Sequence, residues 1–556
     1  MRVRLGSLLL VVALLAPAAS REPVHARKAM VVSAEPHATR VGVAVLKSGG
    51  NAVDAAVAVG LTLAVTHPLA GNIGGGGFML IRFADGRATF IDFRERAPQS
   101  ATRDMYLDAA GKPTDQSVVG YRASGVPGTV RGLGMALEKY GSKKWRDLVK
   151  PAQRLADSGF PVTFSLAKEI AGSSRLPLFE ESQRIFLKGS KAPAYGDILR
   201  QRDLAKTLAR LAEQGPDEFY TGRTAELIAR DMERHGGLIT LADLRDYKPV
   251  EREPLRGAYR GYGILSAPPP SSGGVGVIQM LNMLEPTNFA AAGPGSAAVI
   301  HQVAEAMRRY FADRAAYFGD TDFIQMPTAK LLDKEYARSR YADYDPAQAS
   351  TSTAVGPGLG PWRESYETTH FSVVDEHGNA VAVTYTLNGL FGSGVTIAGT
   401  GIVMNNEMDD FTAKVGEPNM YGVLQSPANG VEPGKRPLSA MTPTIVVRDG
   451  KPFLVTGAPG GPTIISTVLQ NIINVIDFGM DAQAAADAPR FHHQWMPDEL
   501  RMESEGFSPD TVRILEAMGH RVRLGSLMGK AMNILATEDG WSGAADSRSA
   551  GLAAGY

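Results

Sequence analysis

The stretch ETTHFSVVDEHGNAVAVTYTLN, Glu367 to Asn388, reads as strand, turn, strand. Thr369 to Asp375 is rich in β-branched and aromatic residues. Glu376-His377-Gly378-Asn379 has turn chemistry, and Ala380 to Leu387 alternates as a strand does. On that alternation Thr384, Thr386 and Asn388 share one face, within reach of the start of the first strand. Just upstream, Gln348 to Pro361 (QASTSTAVGPGLGP) has the composition of a linker or loop. Two adjacent hydroxyls, Thr368 and Thr369, therefore stand where irregular chain enters a sheet.

Outward from this hairpin the same grammar repeats. Thr444 to Val447 and Phe453 to Thr456 flank Arg448-Asp449-Gly450-Lys451, a second hairpin signal. Gly457-Ala458-Pro459-Gly460-Gly461 then leads into Thr463 to Phe478, an apolar helix closed by Gly479. In the first half, Phe78 to Phe83 and Ala88 to Phe93 flank the turn Ala84-Asp85-Gly86-Arg87. Asn51 to Val65 is apolar on nearly every face and reads as a buried helix ending before Pro68. Asp203 to Glu213 and Thr224 to His235 read as surface helices. Hairpin-paired strands with buried helices around them predict an α+β layered sandwich with both sheet faces covered. Ala267 to Gly274 (APPPSSGG) reads as a rigid-then-flexible loop, and no internal repeat is found.

Composition narrows the chemistry. The chain has 556 residues, 44% of them hydrophobic, with 58 basic and 58 acidic side chains. Balanced charge without a basic patch argues against a nucleic-acid partner. The absence of cysteine excludes disulfides and thiolate chemistry. Arg2 and Arg4, the apolar run Ser7 to Ala16 and the small residues Ala16, Ala18, Ala19 and Ser20 form a three-part export signal over residues 1–20. That run is short of the ~20 residues that span a bilayer, so no stable membrane span is expected after cleavage.

Familiar hydrolase signatures are missing: there is no G-x-S-x-G and no H-E-x-x-H. His492 and His493 are adjacent and read as structural rather than metal-binding. Gly74 to Gly77 lacks dinucleotide or P-loop spacing and reads as a place of close backbone packing.

The stretch TTHFSVVDEHGNAVAVTYTLN resembles the start of the small subunit of γ-glutamyltransferases. So do NNEMDDF (Asn405 to Phe411), KRPLSAMTPTIV (Lys435 to Val446) and TGAPGG (Thr456 to Gly461), and, earlier, GGNAVDAA (Gly49 to Ala56), DFRERAP (Asp92 to Pro98) and PPPSSGG (Pro268 to Gly274). The similarity runs from about Lys28 to the C-terminus and is densest from Glu367 to Pro497. It implies a four-layer αββα sandwich of the N-terminal-nucleophile hydrolase type. It also implies a precursor that cuts itself into a large subunit, 21–367, and a small subunit, 368–556, which pair as a heterodimer. Thr368 matches the nucleophile and Thr386 the threonine that hydrogen-bonds it. Arg94 matches the arginine that grips the substrate α-carboxylate, with Ser439 a second donor to it. Asn388, Glu407 and Asp410 match the groups that hold the α-amino end. Gly460 and Gly461 match the oxyanion-hole glycines, and Tyr421 the tyrosine of a lid. The implied substrates are small molecules: glutathione and other γ-glutamyl amides, with water, amino acids or dipeptides as acceptors. No cofactor and no metal are implied, and the place is periplasmic or secreted.

By residue type alone several of these positions are ordinary. A threonine pair suits any strand, Arg94 any ion pair with Asp92 or Glu95, E-x-x-D any solvated loop, and a glycine pair any turn. The chemistry nevertheless fits. A free N-terminal amine with a pKa near ~8 can take the threonine proton near neutral pH. Arginine offers a fork matched to a carboxylate, and glycines before a helix present N–H groups to an anion. One departure bears on substrate: the family's Ser-Ser is Ser439-Ala440 here, a missing hydroxyl that implies a weaker hold on the α-carboxylate. A second, Asp546-Ser547-Arg548 for Asp-Pro-Arg, is of little consequence. Rival readings are a cephalosporin or glutaryl amidase of the same fold, and an exported binding protein without turnover.

Overall fold

The computed structural model describes residues 20–358, 369–414 and 426–556. All of the expected export signal 1–20 except Ser20, the proposed nucleophile Thr368 and the expected lid residue Tyr421 lie outside the described residues.

Fourteen strands build the centre. They are β1 (Val24–Ala26), β2 (Met30–Ser33), β3 (Gly76–Arg82), β4 (Ala88–Asp92), β5 (Val250–Arg252), β6 (Leu255–Tyr259) and β7 (Tyr262–Ser266). The second half supplies β8 (Thr369–Val374), β9 (Ala380–Thr386), β10 (Thr444–Arg448), β11 (Lys451–Thr456), β12 (Met532–Thr537), β13 (Gly540–Ala545) and β14 (Leu552–Gly555). They form two seven-stranded sheets, ordered β14-β2-β8-β9-β3-β4-β5 and β1-β13-β12-β11-β10-β7-β6. The three expected hairpins are present: β3 with β4, β8 with β9, and β10 with β11. Their alternating residues face both ways into apolar layers, which is why each sheet is covered on both sides.

Between the sheets pack Met30, Val32, Phe78, Leu80, Phe90, Ala382, Ile445, Val455 and Ile534. Outside the first sheet lie α1 (Pro36–Lys47) and α2 (Ala52–Thr66), in one cluster with Val31, Met79, Ile91, Phe371 and Val383. Outside the second lie α3 (Gly273–Leu284), α4 (Ala297–Tyr317) and α5 (Thr463–Ile476). The result is the expected four-layer αββα sandwich. Each fully buried large apolar side chain in these layers contributes about 1.5–3 kcal/mol against leaving it in water.

The helix expected from Asn51 begins one residue later, because Asn51 caps it in a capping box with Asp54, and every residue of α2 is buried. The two expected surface helices span Arg202–Gln214 and Arg223–Arg234, but each buries one face: Leu204, Leu208 and Leu211, and Ile228 and Met232. Their apolar residues recur at helical spacing, so a solvated face and a packed face coexist. No described helix is long and apolar enough to cross a membrane.

Candidate active site

The two sheets bring the site residues to one edge. β8 starts at Thr369, opposite Tyr385, and β9 runs one residue further, to Thr386, opposite Gly76 of β3. β4 ends at Asp92, two residues before Arg94. In the facing sheet the same edge carries the end of β11, the start of β10 and the start of β12. β8 lies over β12 and β11, and β9 over β11 and β10.

Arg94 is the centre of a buried ionic cage. Its guanidinium contacts Glu407 through Nη1 and donates to Asp410 Oδ2 at 2.5 Å through Nη2. It also donates to the Leu438 carbonyl (3.0 Å) and the Pro437 carbonyl (3.2 Å), with Glu95 Oε2 3.5 Å away. Arg94 is 1% exposed, and Glu95 and Glu407 are fully buried. Burial opposes the Arg94 charge, but the three carboxylates outweigh it and hold the group more basic than usual. Burial pushes the Glu95 carboxyl up to about 7 despite Arg94, and pushes Glu407 well above the usual range. Both Glu95 carboxylate oxygens, Glu407 Oε2 and Asn388 Oδ1 have no hydrogen-bond donor among the described residues. Buried acceptors without donors are costly, and together they mark a place for a donor that the described residues do not supply.

The alternation reading placed Asn388 on the face of Thr384 and Thr386. Instead β9 ends at Thr386, and Asn388 adopts a left-handed backbone with φ +68°. Thr386 Oγ1 accepts the Asn388 N–H at 2.7 Å, and Asn388 Nδ2 donates to the Asn406 carbonyl at 2.9 Å. The turn, not the strand, sets Asn388 against the Asn406 carbonyl, one residue before Glu407. Asn72 pins this turn from behind: its Nδ2 donates to the Thr386 carbonyl at 2.7 Å, while its Oδ1 accepts from Gly75 N and Thr129 Oγ1. Glycines 74–77 serve close packing as expected; a Cβ on Gly75 would meet the Thr386 carbonyl at 2.0 Å.

Ser439 joins the cage through the backbone. Its neighbour Leu438 receives Arg94, and its own carbonyl accepts from Ser272 N and Oγ, both at 2.8 Å. The loop Pro268–Gly274 is thus a rail that holds Ser439 in place. Ala440 beside it is buried in the apolar cluster of α3 and α5.

Gly460 and Gly461 have φ of +127° and +64°, which glycine adopts without strain. Neither N–H has a hydrogen-bond partner among the described residues. Both lie at the positive end of α5, an arrangement suited to a developing oxyanion. His370 locks this turn to β8. Ser372 Oγ donates to the Met532 carbonyl at 2.9 Å, so it accepts from His370 Nε2 at 3.0 Å. His370 Nδ1 then accepts from Thr384 Oγ1 at 2.8 Å. Burial lowers the His370 pKa to about 3, which keeps it neutral. A Cβ on Gly457 would meet the His370 ring at 2.3 Å. Asn72, Glu95, His370 and Gly457 were not singled out by sequence reasoning; Asn72, His370 and Gly457 act through partners distant in the chain.

His492 and His493 are structural. They bond to Ser466 and Gln494, and to Asp498, and burial lowers both pKa values. Among the described residues His301, Glu305 and His520 place ligand atoms within 4.8 Å of one another. These atoms are already engaged. His301 Nδ1 and His520 Nε2 are 2.8 Å apart, a hydrogen-bond distance, and Glu305 takes Arg308, Arg309 and the Ser350 N–H. Two guanidiniums against the one carboxylate do not suit a cation.

Comparison with known proteins agrees with this geometry. The family model described as gamma-glutamyltranspeptidase matches residues 38–556. The glutathione hydrolase proenzyme of Escherichia coli (strain K12) is 54% identical over 540 residues, 96% of this chain and 93% of that protein. A cephalosporin acylase from Bacillus halodurans superposes with a TM-score of 0.85 at 28% identity, covering 99% of both chains. A solved chain of Helicobacter pylori gamma-glutamyltranspeptidase is 43% identical with a TM-score of 0.59; it covers 62% of this chain and 98% of its own length.

Proposed function

The chain belongs to the gamma-glutamyltranspeptidase family, and from that premise we propose how its residues perform the reaction. The enzyme is a γ-glutamyltransferase and glutathione hydrolase. The precursor cuts itself first: Thr368 Oγ attacks the Glu367 carbonyl, the acyl group shifts from nitrogen to oxygen, and water hydrolyses the ester. This releases subunits 21–367 and 368–556, which stay paired, after removal of the export signal 1–20 and delivery to the periplasm or the medium.

The freed Thr368 amine then takes the Oγ proton as Oγ attacks the γ-carbonyl of glutathione. The N–H groups of Gly460 and Gly461 hold the oxyanion. Cysteinylglycine leaves with the proton, and water or an amino acid or peptide amine takes the γ-glutamyl group from the ester. Thr386 positions Thr368, and Tyr421 closes over the bound donor.

The observation that carries the choice of donor is the cage around Arg94. One guanidinium faces Glu95, Glu407 and Asp410. A γ-glutamyl head brings a carboxylate for Arg94 and Ser439 and an ammonium for Glu407, Asp410 and Asn388, so every buried charge keeps a partner. A glutaryl group brings the carboxylate alone, adding negative charge beside three buried acidic groups with no ammonium to meet them, which argues against the amidase reading. The test compares p-nitroanilides of γ-glutamate and glutarate. We expect kcat/KM to favour the γ-glutamyl compound at least about a hundredfold, the equivalent of leaving one buried charge unpaired, and glycylglycine to speed nitroaniline release. Equal or reversed preference would reject the γ-glutamyl reading in favour of an amidase.

A further inference from the structure

The edge that carries the oxyanion turn also carries a lysine the mechanism leaves unused. Lys530 stands just before β12, half-buried, with no carboxylate at ion-pair distance among the described residues. Its neighbour Gly529 packs on the oxyanion turn: a Cβ on Gly460 would lie 3.3 Å from the Gly529 nitrogen. The lysine's charge is felt at His67, whose pKa falls to about 3 chiefly through burial and further through Lys530. The His67 loop continues to Asn72, which holds the Thr386 carbonyl. Lys530 therefore faces the catalytic edge from the side of β12.

Sheet order decides what that position sees. β11 runs into Gly457–Gly461 and has an antiparallel neighbour on each side. On one side β10 begins at Thr444, in the segment that follows Ser439; on the other β12 begins at Met532, just after Lys530. Adjacent strands are spaced about 4.8 Å apart. The head site lies on the β10 side, where Arg94 donates to the carbonyls of Pro437 and Leu438. A donor that starts there and places its γ-carbonyl at Gly460 and Gly461 extends its amine side toward β12. Two extended residues reach about 7 Å, and the flexible lysine stem spans the remainder.

Resting on the γ-glutamyl reading, we propose that Lys530 binds the terminal carboxylate of the peptide on the amine side of the scissile bond. That carboxylate belongs to the cysteinylglycine part of glutathione, or to a dipeptide acceptor entering the same place. Lys530 is thus a specificity residue for peptide over uncharged leaving groups.

The test uses the mature enzyme and three donors: glutathione, glutathione amidated at its C-terminus, and γ-glutamyl-p-nitroanilide. Lys530→Met should raise KM for glutathione roughly five- to twentyfold, the loss of one charge-assisted contact in a half-buried place. For the amide and the anilide, which lack the carboxylate, the variant and wild type should agree within about twofold. Lys530→Arg should keep the glutathione KM within about threefold of wild type, since the charge remains. An unchanged glutathione KM in Lys530→Met, or an equal rise on all three donors, overturns the proposal. A wild type inactive on all three overturns the γ-glutamyl reading and this proposal with it.

Discussion

Arg94 illustrates how one residue can be charged, buried and still available. On the proposed reading its carboxylate partners are the groups that receive the substrate ammonium, so binding exchanges partners rather than desolvating new charge. Lysine at this position keeps the charge but loses the fork that reaches Glu407 and Asp410 together. We expect Arg94→Lys to raise donor KM roughly ten- to a hundredfold while self-cleavage, which does not use the head site, proceeds. An unchanged KM in steady-state kinetics would remove Arg94 from the site. At this scale the sequence was legible only by resemblance. DFRERAP and NNEMDDF look like ordinary polar loops, and nothing local joins residues 313 positions apart.

Elements were more legible, because hairpins and capped helices are local. The turn signals at Ala84 to Arg87, Glu376 to Asn379 and Arg448 to Lys451 each sit between the strands they join. What sequence could not supply was the contact between sheets. β8 and β11 belong to different sheets, and Gly457 lets them approach until the His370 ring fills the space a Cβ would need. Gly457→Ala should push β11 from β8, shift the oxyanion turn and cost about 1–3 kcal/mol of stability. The measurement is thermal unfolding beside kcat on a γ-glutamyl anilide. Both should fall; a variant with wild-type kcat and melting temperature would show that this spacing is not needed. Asn388 was misjudged for a related reason: alternation assumes the strand continues, whereas β9 ends two residues earlier.

The whole molecule has a pH signature. His67 and His370 are lowered to about 3, His493 to about 4, His520 to about 3, and His492 well below its usual range, in each case chiefly by burial. A depressed histidine pKa means the unfolded chain binds more protons between that value and about 6.5. The stability these groups confer is full above pH 6.5 and is lost as pH falls toward 3–4. Glu95, raised to about 7, and Glu407, raised well above its usual range, act in the opposite sense, favouring the folded state at low pH; Glu95 loses that contribution between 4.5 and 7. The histidines are more numerous, so melting temperature should drop as pH falls from 6.5 to 5. A melting temperature that is flat or rises over that range would show that these histidines are not neutral in the fold.

The four-layer sandwich also accommodates the proposed cut before β8. β8 pairs with β2 on one side and β9 on the other, so it stays in the sheet as an interior strand. The central claim, that the chain cleaves itself before Thr368 and then works through that threonine, is tested most directly by intact-mass and N-terminal analysis of purified wild type and Thr368→Ala. The wild type should give two polypeptides, the smaller beginning Thr368-Thr369-His370 and ending at Tyr556, and Thr368→Ala should remain one inactive chain. A wild type that is uncut yet fully active, or a Thr368→Ala chain that still cleaves at this bond, would contradict it.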